Sequence, residues 1–434
     1  TDREKIMSPD YLEILSDFTL IKGLENPIRD YVSQPIDTNL VITYINEKEL
    51  EPINITEFTY RSIPKVYGLM QDEPGEKPVF DPTPLMESGI LQVQGAPLNL
   101  TGRGVVLGFL DTGIRYDDEV FRNPDGSSRI LGIWDQNIND GPTPEGLLYG
   151  TEYKKNLIDA ALLSENPREI VPSYDEIGHG TAVASVAAGS AISGGLRFTG
   201  AAPDANIAVV KLRQAKPYLR QFYLIPEDVP AYAESDLITA VKYLESYAIS
   251  LLRPLVICLC LGTNRGDHEG HSILAGYLNT IATRRSRVVV MCGGNEGNSG
   301  LHYVGQEVEG RPESTDSVEI RVDEREKGFI AELWGNVPIS HAISIRSPGG
   351  ETTDRVDFKA KETREFSFVY EKTKVRVDHI LVEQGSGEEL IFFRFVDPTP
   401  GVWTIRVTSM GGGAGDEDSF HIWLPVSQFL SGET

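Results

Sequence analysis

The sequence predicts an α/β fold: a parallel sheet flanked by helices, with a small α/β unit before it and an inserted all-β sandwich after it. Two observations predict this. Between residues 104 and 294, near-continuous apolar runs alternate with stretches of helical length, the pattern of strands covered on both faces. From about Gly310 the texture changes to short alternating strands separated by turn residues, which reads as an antiparallel sandwich or jelly roll.

Residues 1–83 form the first unit, in which LVITYI (40–45) reads as a strand and residues 51–70 carry a second apolar–polar pattern ending in IPKVYGLM. QDEPGEKPVFDPTP (71–84) is rich in Pro, Gly and charge and reads as an exposed linker. The second unit, 84–309, carries the strands GVVLGFLD (104–111), NIAVVKL (206–212), PLVICLCL (254–261) and RVVVMCGG (287–294). TAVASVAAG (181–189), SDLITAVKYLESYAISLL (235–252) and SILAGYLNTIATRR (272–285) lie between them as helices. The sandwich, 310–425, runs from SVEIRVD to FHIWLP and includes GGGAGDEDS (411–419) as a flexible acidic loop; residues 426–434 begin a return to the second unit.

The 434 residues hold 40 Lys+Arg against 64 Asp+Glu, a formal net charge of −24, which speaks against nucleic acid as a partner. No apolar run reaches the roughly 20 residues that span a bilayer, so no membrane partner is expected. TDREKIMSPDY at the start lacks the apolar core of a signal peptide. Three cysteines, Cys258, Cys260 and Cys292, cannot build a disulfide framework, and together these features suggest a reducing, cytoplasmic compartment. Asp267, His268, Glu269 and His271 have a metal-like composition but read as a solvated loop, so no metal is expected. GGGAG at 411 lacks the strand, Lys and helix of a phosphate loop, and no cofactor is expected. His302, His341, His379 and His421 receive no role.

Three residues carry the chemistry. Asp111 ends the apolar strand GVVLGFL, and open parallel sheets gather their sites outside such strand ends. His179 lies between glycines in DEIGHGTAVASVAAG (175–189), where an imidazole near neutral pKa can act as a general base. Asn295 follows Gly293 and Gly294 at another strand end, where its amide N–H can donate to a developing oxyanion. Each alone is an ordinary turn or cap residue; the matching contexts set them apart.

GVVLGFLDTGI (104–114), GHGTAVASVAAG (178–189), GAAPDANIAVVKL (200–212), LCLGTN (259–264) and VVVMCGGNEGN (288–298) resemble, in order, the signatures of the subtilisin family of serine proteases. The resemblance implies that Asp111 orients His179, that His179 takes a proton from a serine, and that Asn295 is the oxyanion-hole side chain. It implies that Cys260, Leu261 and Gly262 form the strand that pairs with an extended protein or peptide substrate, and that Gly293 and Gly294 form the opposite wall of the pocket. Position 260 is usually Ser in the family; the Cys260 thiol reads as a small hydrophobe.

The family's nucleophile lies in Gly-Thr-Ser at the start of an apolar helix, and the sequence holds no such segment. Its nearest string, Val407-Thr408-Ser409-Met410, ends a sandwich strand, so Ser409 is rejected. The expectation is that a Ser-bearing C-terminal segment is missing and that the 434 residues are inactive alone. An N-terminal unit, a subtilisin core and a jelly-roll insert together look most similar to the clostridial Csp germination proteases. That likeness implies a spore-associated enzyme that activates a cortex-hydrolase precursor, or a pseudoprotease that acts as a germination signal or binding protein. It also implies that residues 1–83 are a prodomain, intact or cleaved, with SIPKVYGLMQ (62–71) as the cleft-bound tail and a cut within 66–75.

Overall fold

The computed structural model describes residues 1–17, 29–70, 83–190, 199–306, 315–357, 361–410 and 419–434. Runs of Val, Ile and Leu leave no polar face for water, so these strands lie side by side beneath helices. The exception is the edge strand Arg287–Met291, expected to be covered on both faces: it leaves Val288, Val290 and Met291 exposed because no strand pairs with its outer edge among the described residues. The central sheet has the order Arg287–Met291, Leu255–Leu259, Val106–Asp111, Asn206–Lys211, Ile130–Asp135, Thr151–Lys154. All neighbours run parallel except the last pair, Ile130–Asp135 with Thr151–Lys154. Those two strands were not anticipated: Gly132 interrupts one and the other is mostly polar. Above the sheet, the Glu234–Ser250 helix buries Leu237, Val241, Leu244 and Ala248, a spacing that lines one helical face.

The first unit is a three-stranded antiparallel sheet, Tyr11–Asp17, Leu40–Asn46 and Tyr31–Pro35, with Leu40–Asn46 in the middle. Its Ile42 and Tyr44 share one apolar cluster with Leu237 and Ile238 of the core helix. Buried charges pin the joint. The Arg213 guanidinium reaches Asp236 at 2.8 Å and Glu13 at 2.5 Å, and removing one partner would strand the others away from water.

The sandwich packs a six-stranded antiparallel sheet against a three-stranded one, as the alternation of the sequence implies. Its edge strand His302–Gln306 pairs with Ser419–Trp423 and so begins within the stretch assigned to the core. The partner lies more than 100 residues downstream, beyond the reach of a local pattern. Every residue of the Gly328–Gly335 strand is buried, because both of its faces are covered. Phe329, Ala331 and Leu333 enter the sandwich interior. Ile330 and Trp334 join Ile55, Tyr60, Ile63, Val66 and Phe429 in a third cluster. Of the expected linker, residues 83–84 open the short Thr83–Glu87 helix and 71–82 lie outside the described residues, as do residues 411–418 of the acidic loop. Among the described residues no helix is long and apolar enough to cross a membrane.

Candidate active site

Asp111 closes the central Val106–Asp111 strand, and His179 opens the His179–Ala188 helix. Strand end and helix start meet closely. A Cβ on Gly180 would overlap the Gly113 carbonyl oxygen and stand 3.1 Å from the Asp111 Cβ, so only glycine lets the helix approach. Asp111 Oδ1 accepts from the Thr112 backbone N–H at 2.7 Å and faces His179 Nδ1 at 2.7 Å.

Asp175 holds this helix start, a role the sequence reading missed. Its buried carboxylate accepts from the Thr112 hydroxyl at 2.8 Å and the Gly178 N–H at 2.8 Å. It also accepts from the Thr181 N–H at 2.8 Å and the Thr181 hydroxyl at 2.6 Å. Burial works against the charged carboxylate, but these donors outweigh it and hold its pKa below the usual range. The available signal was an Asp just ahead of a glycine-flanked helix start, the chemistry of an N-terminal cap.

The segment Val66–Leu69 lies in the adjoining cleft as the middle strand of a small antiparallel sheet. Leu261–Gly262 pairs with Leu69 and Gly68 on one edge, and Tyr232–Ala233 with Tyr67 and Val66 on the other. The Met70 N–H donates to the Cys260 carbonyl at 3.3 Å. The Met70 carbonyl oxygen lies 3.2 Å from His179 Nε2. With Nδ1 donating to Asp111, Nε2 bonds this oxygen only when it also carries a proton, so the arrangement belongs to the imidazolium. Burial disfavours that cation, but Asp111, the Met70 carbonyl and Asp175 outweigh it and raise the imidazole pKa.

Cys260 takes part through its backbone. Burial, with Cys292 and Asp111 nearby, pushes its thiol up to about 11, which keeps it protonated and unreactive. Beyond Met70 opens a cavity of about 650 Å³, lined by Met70, Gly262, Gly293, Gly294, His268 and Trp423 among others. Asn295 follows on the same loop and is exposed. His268 does not merely face solvent: its ring stacks on Trp423 with centroids 3.7 Å apart, and His302 stacks on the same indole at 3.5 Å. His271 pairs with Asp267. No group of three or more His, Cys, Asp or Glu suited to a metal occurs among the described residues. Ser409 is buried on the Gly401–Met410 strand opposite His341. Among the described residues, neither ring nitrogen of His179 meets a serine hydroxyl.

Residues 102–320 match the model of the Subtilase family. Subtilisin-like protease SBT3.5 of Arabidopsis thaliana is 31% identical over 227 residues, 46% of this chain and 26% of that protein. Subtilisin-like protease SBT1.9 of the same plant is 30% identical over 131 residues, 26% of this chain and 17% of that protein. The chain thus spans about a quarter or less of the length of these relatives. The structure of the Clostridium perfringens CspB protease is similar with a TM-score of 0.66 at 30% identity, over 80% of this chain and 67% of that one. A family match over half of the sequence, with a shared fold across four-fifths of it, means that this chain belongs to the subtilase family of serine proteases.

Proposed function

We propose that the chain is the Asp- and His-bearing part of a serine endopeptidase that cuts its own first unit away after Met70. One observation carries this reading: Val66–Met70 lies in the cleft as a substrate strand would, with the carbonyl of Met70 at His179. In the reaction a serine hydroxyl attacks that carbonyl carbon while neutral His179 takes its proton. Asp111 supports the imidazolium, and the amide of Asn295 donates to the oxyanion. The imidazolium then returns its proton to the departing amine of Gln71, and water releases the acyl group. The pocket walls are Cys260, Leu261 and Gly262 on one side and Gly293 and Gly294 on the other.

The serine comes from a further segment. The sheet edge Arg287–Met291 supports this, because Val288, Val290 and Met291 are each about half exposed, at 51%, 50% and 53%. An apolar edge strand invites another strand, and a parallel strand added there would lead into a Gly-Thr-Ser helix. The likeness to the clostridial proteases extends the proposal to the substrate: a precursor of a cortex-degrading hydrolase, activated during spore germination. A non-catalytic pseudoprotease is the second reading, favoured by the lack of a serine at His179 among the described residues.

The test is to express the complete reading frame that contains this chain and sequence the new N-terminus. The expected terminus is Gln71, and His179→Ala should leave the protein uncut. A cut elsewhere, or one that survives His179→Ala, would sink the reading. An uncut protein with a Gly-Thr-Ser segment in place would favour the pseudoprotease.

A further inference from the structure

Gln428 lies on the short Ser427–Phe429 turn that follows the sandwich, and it reaches the cleft strand. Its Nε2 donates to the Leu69 carbonyl at 2.8 Å, and its Oε1 accepts from the Leu69 N–H at 3.3 Å. In an antiparallel strand these two groups of Leu69 point away from the Leu261–Gly262 edge. Tyr232–Ala233, which covers that side at Val66 and Tyr67, does not extend to Leu69. One side-chain amide therefore replaces a missing strand at the second residue before the cut.

The same amide covers the third residue. A Cβ on Gly68 would overlap the terminal atoms of Gln428. Gly68 lies in a strand and has no left-handed backbone, so what an added Cβ would meet there is the end of the Gln428 side chain, not backbone strain. A larger residue could enter only by displacing the amide from both bonds to Leu69. Gln428 cannot follow by moving its backbone. Val426 and Phe429 on either side are buried in the cluster that holds Val66, and the Ser427 N–H and hydroxyl donate to Glu296 at 3.2 and 3.0 Å.

We infer that Gln428 is a specificity-determining residue: it grips the substrate backbone two residues before the cut and selects glycine three residues before it. The inference rests on the protease reading, and two measurements separate the fates of the two. The first needs no catalysis. In the full chain, Gln428→Ala and Gly68→Ala should each speed hydrogen exchange of residues 62–70 by on the order of 10-fold, the scale of one or two neutral hydrogen bonds. In the Gln428→Ala background, Gly68→Ala should add nothing. Unchanged exchange in Gln428→Ala, or a full effect of Gly68→Ala on top of it, overturns the clamp. The second uses the complete protease and peptides with Gly or Ala at the third position. The wild type should prefer Gly by on the order of 10-fold in kcat/KM, and Gln428→Ala should bring the ratio near one. A wild type without that preference overturns the specificity role. A protein that passes the exchange test and cleaves no peptide refutes the protease reading and, with it, the specificity role.

Discussion

At His179 one proton separates an occupied cleft from a working one. The bond from Nε2 to the Met70 carbonyl needs the imidazolium, whereas action as a base needs the neutral ring. Its pKa is raised in the folded state, so the contribution of this proton is complete below the unfolded value of about 6.5. It is lost as pH rises through the higher folded value. The tail should therefore dock most tightly in mild acid. Hydrogen exchange of residues 62–70, corrected for intrinsic rate, should speed up as pH rises above about 6.5, and His179→Ala should flatten that trend. Flat protection in the wild type would remove the imidazolium from the contact. Asp111 and His179 were legible because each stands in a local context, a strand end and a glycine-flanked helix start. Asp175 and Gln428 were not. Asp175 becomes a helix anchor only when strand and helix ends meet, and Gln428 only when the last turn comes back across the cleft.

The elements were legible to the degree that their environment repeats along the chain. Strands covered on both faces announce themselves as apolar runs, and the Ser272-capped Ile273–Ala282 helix falls inside its expected span. Gly328–Gly335 shows what such patterns omit, since its second buried face depends on segments far away in sequence. Glu332 on this strand is buried and accepts from the Tyr60 hydroxyl at 2.8 Å, the Gly266 N–H at 3.1 Å and the Trp334 indole at 3.2 Å. Arg265 pairs with it at 3.3 Å. One carboxylate thus ties the sandwich to the first unit and to the core loop. Glu332→Ala should strand Arg265 and lower unfolding free energy by about 3–5 kcal/mol, read from urea denaturation. A loss under about 1 kcal/mol would make the tie incidental.

At the scale of the molecule, the sandwich is no free appendage, because its outer face completes a core with Ile55, Tyr60, Ile63 and Val66. A cut after Met70 would leave that core intact. On the proposed reading the 434 residues alone should not react with a fluorophosphonate, since Asp111 and His179 would need a serine from a further segment to form an acyl-enzyme. Adding a Gly-Thr-Ser segment by co-expression should restore labelling, and His179→Ala should abolish it. Labelling of the chain alone, mapped to Ser409, would overturn the assignment of the nucleophile. The clamp on the cleft strand also sets a clock. Leu69 and Gln428 are 359 residues apart, and synthesis at roughly 5–20 residues per second brings Gln428 out about 20–70 s after Leu69. Throughout that interval Leu69 lacks the amide that grips it, although Tyr232–Ala233 can already pair with Tyr67 and Val66 on the same side. On the proposed reading, the bond after Met70 gains this grip only when translation has passed the sandwich, so self-cleavage would follow the synthesis of Gln428.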